Sequence, residues 1–573
     1  MVGRSYKQHR PEGAFDAIVV GSGIGGLAAA SLLARYADKR VLVLERHYTA
    51  GGFTHVFTRR GYEWDVGLHY IGGIEDRGTG VAELFDAISG GRLEWERMPE
   101  VYDRVFVGDD AYDFVSGRKR FIRAMSQRFP GQREVIEDYV ALLQRSARTG
   151  GPFFLDRALP RGMSKVLGPL LRAPMRRFSD RTVEEVLRPR VRDPRLYTVL
   201  TAQCGDYGMT PAQASFAVHA MVATHYMNGA FYPVGGASAI ARECAAEIEG
   251  AGGAIFTNAE VAEILCERGR AVGVRMADGR SYRAPIVVSD AGAPATWLKL
   301  VPRELAERTG LPERIRAVPR STGHLCLYLG FRGTDAELGL DGTNLWIYPG
   351  DDREAAFARF TDDPEAPLPV VYISFPSSKD PTWASRYPGR STVEVITLAD
   401  MAWFERWMDT RWMKRGDAYG AFKERLTERL LEVLYAHRPQ LRGRLDHAEL
   451  STPPLHAALH DVRGGRDVRP RAHPRALPPA AQRTDAHPGP LLHRPGSREL
   501  RRRGRALRRR ALRRGHPARR AALGAARALL AAPDAGPARA SAGEPGPPRL
   551  TERRGAPHRR RRGASSARLR AVR

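Results

Sequence analysis

Residues 15–26 read Phe15-Asp16-Ala17-Ile18-Val19-Val20-Gly21-Ser22-Gly23-Ile24-Gly25-Gly26. The first six form a short apolar run suited to a parallel strand buried on both faces. The next six spell Gly-x-Gly-x-x-Gly, and an alanine- and leucine-rich helix follows to about Tyr36. Val41-Leu42-Val43-Leu44 is a second strand, and it ends at Glu45. Each part has a physical job. Gly21 permits the tight turn, Gly23 lets the backbone approach a pyrophosphate, and Gly26 lets helix and strand pack closely. The helix N-terminus offers free N–H groups and partial positive charge to the phosphates. Glu45 stands 24 residues after Gly21, where a carboxylate can accept ribose hydroxyls. The hexapeptide alone is a weak signal, but strand, helix and acid in the right order make it a dinucleotide site. The competing reading of residues 17–37 is a signal peptide or membrane span. Four glycines, two serines and Arg35 interrupt that stretch, which is poor for a span of ~20 apolar residues.

Around this unit lie 573 residues, 43% of them hydrophobic. That allows roughly three or four structural units and excludes disorder throughout. The cysteines Cys204, Cys244, Cys266 and Cys326 form no CxxC pair, which excludes a zinc ribbon or disulfide scaffold. Reduced thiols fit a cytoplasmic setting. No metal site and no Ser-His-Asp triad is visible, and the sequence carries no signal of oligomeric state. The net charge of +27 is unevenly spread. Residues 454–573 hold 31 Arg, no Lys and 7 acids, so residues 1–453 are nearly neutral at +3. All 47 aromatic residues precede position 454.

Downstream of Glu45-Arg46 come Gly51-Gly52 and then Asp65-Val66-Gly67-Leu68-His69-Tyr70-Ile71-Gly72. Here the chain resembles the FAD-dependent phytoene desaturase, carotenoid isomerase and retinol saturase group, within the amine-oxidase-like flavoproteins. Asp65–Gly72 is most similar to the retinol saturase branch. The resemblance continues at Gly229–Ser238, Asn258–Val261, Gly269–Val274, Val287–Gly292, Asn344–Pro349 and Ser374–Pro381. It covers about residues 14–453. It implies that the backbone at Ser22 and Gly23, within the turn that includes Gly21, Gly25 and Gly26, holds the pyrophosphate of FAD. Glu45 would hold the adenosine ribose, Arg46 and Gly52 would border the ribityl and flavin path, and Val261 would meet the adenine. Asp65–Tyr70 would sit near the isoalloxazine.

The implied fold is α/β. It has a discontinuous Rossmann-like FAD-binding domain (14–100 and 229–300), an inserted α+β substrate domain (301–453) and a largely helical substrate or membrane-side segment (101–228). Strands are expected around 321–348 and 369–398. The implied reaction is hydride transfer at a carbon–carbon bond of a hydrophobic polyene. Carotenoid cis–trans isomerisation is the near alternative. Amine oxidation is more distant, since no aromatic cage is legible. No second nucleotide site is evident, so NAD(P) use stays open.

Such enzymes end in a segment that returns to the flavin, and it is missing after Pro453. Back-translating from Pro454 with GC-rich codons and reading from the second base permits an unbroken frame containing Tyr-Phe-Thr-Gly-Gln-Glu and a Gly/Ala-rich helix. A one-base frameshift near codon 454 explains that segment, the Arg bias and the missing aromatics. The literal tail is then expected to be disordered, and the literal chain to bind FAD poorly. The rival is a basic nucleic-acid-binding tail. It lacks aromatics, lysines and any recognised motif, so no nucleic-acid partner is expected.

Among candidate catalytic groups, His69 and Tyr70 lie nearest the inferred flavin, and His219, His225 and Tyr226 fall on the substrate side. Lys379 is either a flavin or substrate contact or a turn cap. Trp403, Phe404, Trp407, Met408, Trp412 and Met413 recur at near-helical spacing, as a packed core face or as tunnel lining. Residues 153–178 mix Phe154, Leu155, Met163, Leu167 and Leu170 with Arg157, Lys165, Arg172 and Arg176. That pattern suits peripheral contact with an anionic membrane or a helical cap with solvated arginines.

Overall fold

The computed structural model describes residues 1–75, 80–318, 322–408, 410 and 414–453. These fall within one compact unit, Met1–Ala486. The second unit, His487–Arg573, lies outside the described residues. So do the expectations for the tail, its frame and its disorder, and those for Trp412 and Met413.

A five-stranded parallel sheet has the order Arg4–Ser5, Ala254–Thr257, Val41–Leu44, Ala17–Val20, Ile286–Ser289. Its central strands are buried at every position, which is why they read as unbroken apolar runs rather than alternating ones. Helix Ile24–Ala37 makes the first crossover. With helix Ser238–Gly250 it encloses Leu27, Ala30, Ala241, Cys244 and Ile248 against one face. Between strands Ala254–Thr257 and Ile286–Ser289 the chain makes an antiparallel three-stranded excursion, Val261–Glu267, Arg270–Met276 and Ser281–Arg283. The dinucleotide-type unit is therefore discontinuous. Among the described residues, Ile286–Ser289 is an outer strand, and all four of its residues keep partial exposure.

The inserted part is built on a seven-stranded sheet. Its order is Leu445–Ser451, Gly323–Arg332, Arg390–Ala399, Val371–Ser374, Asn344–Tyr348, Val101–Val107, Asp110–Val115. All pairs are antiparallel except Asn344–Tyr348 with Val101–Val107. A hairpin at 101–115 thus precedes the helices of the middle segment and completes the sheet of the later one. Those helices, from Arg118–Arg128 to Phe216–Tyr226, cover one face. Helix Asp417–His437 covers the other, with Phe422, Leu426, Leu430 and Leu434 spaced four apart, the signature of one buried stripe. Phe404 and Trp407 pack on Phe422 at ring distances of 5.4 and 5.6 Å. These two aromatics belong to the core rather than to a tunnel.

The hairpin Val56–Arg59/Tyr62–Asp65 joins the two sheets. Tyr62 and Trp64 are buried against Cys326 and Tyr328, and the Trp64 indole donates to the Leu329 carbonyl at 2.9 Å. This anchor carries the next residues, Asp65–Tyr70, to the underside of the large sheet.

Candidate functional site

At the nucleotide end, glycines bring backbone against backbone. Gly21 has φ +95°, in the left-handed region that favours glycine. A Cβ on Gly26 would lie 2.6 Å from the Gly21 carbonyl oxygen, and one on Gly52 would lie 2.8 Å from the Gly23 Cα. The Gly51–Gly52 turn is tied to the first by Gly51 N–H donating to the Ser22 carbonyl at 3.1 Å. Glu45 is gripped by the same turn: Ser22 N–H and hydroxyl donate to its Oε2 at 2.9 and 2.6 Å, and His47 N–H donates to its Oε1 at 2.7 Å. Arg46 follows half-buried. Ala259 N–H donates to the Glu45 carbonyl at 2.8 Å, so buried Val261 is held beside the acid at the start of the three-stranded excursion.

Asp290, which the sequence did not single out, lies over this turn. Its Oδ2 falls 2.5 Å from where a Gly23 Cβ would be, and its Oδ1 2.8 Å from that of Gly25. Burial pushes its pKa up, and the charge of Glu45 adds to this, while hydrogen bonds from the Gly26 and Gly23 N–H groups pull it down. The helix N-terminus thus already holds a carboxyl group. The helix N-terminus and its side-chain-free cradle fit the pyrophosphate of FAD, which would share the Gly23 and Gly26 amides with Asp290.

The other end is built from buried charge. The Lys379 ammonium donates to the His69 carbonyl at 3.1 Å, to Asn344 Oδ1 at 2.5 Å and to Ser374 Oγ at 2.7 Å. It is buried and does not cap a turn. Asn344 in turn donates to Asp103 at 3.0 Å, which also accepts from Tyr70 at 3.0 Å and Gln203 at 3.1 Å. His69 Nδ1 stands 2.8 Å from Glu394 Oε2. Asp65 accepts from the Tyr232 hydroxyl at 2.6 Å. Burial dominates every pKa here. It lifts Asp65 to about 7 and Glu394 to about 8, and lowers His69 to about 4 and Lys379 to about 8.

The remaining histidine candidates are held as structural groups. Gly72 N–H donates to His225 Nε2 at 2.8 Å. His219 sits between the hydroxyls of Tyr139 and Tyr207, both at 3.1 Å. Tyr70 stacks on Tyr226 at 4.3 Å and lies parallel to Tyr372 at 6.4 Å.

Sequence reasoning found His69, Tyr70 and Lys379 but missed Glu394, Asp103 and Asn344. A signal existed for the acids. It was clearest for Glu394, a charge set between two valines in Val393-Glu394-Val395, and such a residue is rarely buried without a partner. Asp103 is followed at once by Arg104, so its sequence neighbours hide its burial.

Residues 24–392 match the family of flavin containing amine oxidoreductases. The all-trans-retinol 13,14-reductase of Danio rerio is 35% identical over 454 residues, covering 76% of this chain and 74% of its own length. The protein of the same name from Rattus norvegicus is 36% identical with the same coverage. The chloroplastic prolycopene isomerase of Arabidopsis thaliana is 25% identical over 82% of this chain and 77% of its own. Among the described residues no helix is long and apolar enough to cross a membrane. Motif, fold and relatives agree: this chain is a flavoenzyme of the flavin-containing amine oxidoreductase family, an oxidoreductase with FAD as its cofactor.

Proposed function

We propose that the protein acts on a carbon–carbon double bond of a hydrophobic polyene, a retinoid or carotenoid-like lipid, and saturates it by adding a hydride and a proton. The observation that carries this reading is the 35–36% identity to all-trans-retinol 13,14-reductases over three-quarters of each chain, against 25% to a prolycopene isomerase. FAD, when bound, supplies the two-electron chemistry, and the protein supplies orientation, electrostatics and exclusion of water. Gly21, Ser22, Gly23, Gly25, Gly26, Glu45, Arg46, Gly52 and Val261 would hold it.

The test is anaerobic incubation of the reduced protein with all-trans-retinol and with a carotenoid, followed by mass analysis. A product carrying two extra hydrogens is expected. An unchanged mass with altered double-bond geometry would make the protein an isomerase, and peroxide production from amines would make it an amine oxidase.

We also infer that the protein meets its lipid at a membrane surface. On helices Gly150–Ala158 and Arg161–Ser179, Val166 and Leu170 are 76% and 73% exposed, beside exposed Phe154, Leu155 and Met163 and the bases Arg157 and Lys165. Apolar residues flanked by bases fit an anionic bilayer. Flotation with phosphatidylserine vesicles should carry the protein upward, and protein left in solution would end this reading.

The frameshift reading is also a proposal. In its favour, strand Ile286–Ser289 has an open side among the described residues, with apolar residues half-exposed, and the shifted frame supplies one more strand. Sequencing the gene across codon 454 decides it. If the shifted codons cannot spell Tyr-Phe-Thr-Gly-Gln-Glu, the tail is genuine.

A further inference from the structure

Adding two hydrogens across a double bond takes a hydride, which flavin chemistry supplies, and a proton, which the protein has to supply. A polyene carries no acidic group of its own. Next to the segment inferred to face the flavin lies a buried carboxyl in contact with an imidazole, neither of the touching atoms having any other hydrogen-bond partner. The Glu394 side chain is wholly buried and its Oε2 is 2.8 Å from His69 Nδ1. That nitrogen is itself buried, while the His69 side chain as a whole keeps 15% accessibility. The ring is therefore sealed at its Glu394 end and open elsewhere.

We propose that Glu394 and His69 form a proton relay: Glu394 stores a proton at Oε2 and delivers it to His69 Nδ1 as His69 gives its Nε2 proton to a substrate carbon. This rests on the saturation reading above. The bonds balance. The Nε2–H and Oε2–H bonds break, the C–H and Nδ1–H bonds form, and the negative charge that arises is left on Glu394. The imidazole ends as the other neutral tautomer, and water later returns the lost proton.

The surroundings fit a stored proton. Burial lifts the Glu394 pKa to about 8 and drops that of His69 to about 4, so the pair is neutral at pH 7. The two atoms touch at 2.8 Å without an aligned hydrogen bond, and a small turn of the ring brings Nδ1 into line with the carboxyl. The other titratable groups facing the pair are Asp65, Tyr232, Cys326, Tyr328, Tyr372 and Lys379. Of these Lys379 alone carries positive charge, and it lowers the cost of the Glu394 carboxylate formed after transfer. His69 would be the donor in contact with substrate, and Glu394 acts through it.

Infrared titration of the full chain, compared with Glu394→Gln, reads the stored proton without any substrate. The wild type should show a protonated-carboxyl band at pH 7 that fades as pH rises through about 8 and is missing from the variant. Nitrogen NMR should show His69 neutral and protonated on Nε2. In turnover the Glu394→Gln protein should saturate the polyene about 100-fold more slowly and lose the alkaline limb of the pH profile, with cofactor content unchanged. Wild type without the band, with His69 doubly protonated at pH 7, would overturn the relay, as would a variant with the wild-type pH profile. Wild type that has the band but reduces no polyene would overturn the saturation reading instead.

Discussion

At Gly23 and Gly26 the protein removes side chains so that backbone can meet backbone. At Lys379 and Glu394 it does the reverse, burying ionisable side chains inside a sheet. The first arrangement is cheap, because amide groups at a helix N-terminus already carry the dipole that selects a phosphate. The second is costly, because each buried ion forfeits hydration and recovers it only through well-placed partners. Binding a cofactor's phosphates needs only the first. Holding a proton beside an apolar substrate would need the second, since burial is what moves the Glu394 pKa up to about 8.

The contrast breaks most sharply at Lys379. Lys379→Met strands the His69 carbonyl, Asn344 Oδ1 and Ser374 Oγ and removes the positive charge near Glu394, Asp65 and Asp103. Urea unfolding should show a loss of roughly 3–5 kcal/mol. At pH values above about 8, where Glu394 is ionised, the double variant with Glu394→Gln should recover part of it, because one uncompensated acid is gone. Full additivity would mean that the two side chains do not interact.

At the glycine end the effect is smaller and of another kind. A side chain at position 26 starts 2.6 Å from the Gly21 carbonyl. Gly26→Val should cost about 1–3 kcal/mol through overpacking and abolish flavin retention, read as flavin absorbance per protein. Charge-cluster variants should keep their flavin.

The pH dependence sharpens the same comparison. Glu394's folded pKa is raised above its unfolded value, so the folded chain keeps a proton that the unfolded chain has released. Wild-type stability therefore falls as pH climbs from about 4.3 to about 8. Glu394→Gln does not titrate, so its stability relative to wild type should grow across that window by at most about 1.4 kcal/mol per pH unit and level off above it. A difference constant with pH would mean that Glu394 is ionised throughout.

The two ends were not equally legible in the sequence. The strand, the Gly-x-Gly-x-x-Gly turn, the helix and Glu45 lie within some thirty residues, and local order alone identifies them. The charged end draws on Asp65, Asp103, Asn344, Lys379 and Glu394, which only the pairing of Val101–Val107 with Asn344–Tyr348 and of Val371–Ser374 with Arg390–Ala399 brings together. Strand periodicity says which face Glu394 occupies but not which histidine waits opposite. Asp290 was missed for a similar reason. It follows strand Ile286–Ser289, and only the parallel pairing of that strand with Ala17–Val20 sets it above the glycines.

Asp290 is also where the two styles of construction meet, since it is a half-buried acid placed on the amides proposed above to hold a phosphate. Its pKa is raised by burial and by Glu45 despite two backbone hydrogen bonds, so the carboxylate is held only weakly there. Asp290→Asn keeps the shape and removes a charge that competes with the pyrophosphate and repels it. FAD should then bind roughly two- to five-fold more tightly, the scale of ~0.3–1 kcal/mol for a charge at a helix N-terminus, as read by quenching of flavin fluorescence. The wild type should approach the variant as the pH is lowered and Asp290 takes up a proton, while the variant's own affinity should stay flat. Weaker binding by Asp290→Asn would show that Asp290 helps to hold the cofactor, and that the buried acid at this end serves binding rather than opposing it.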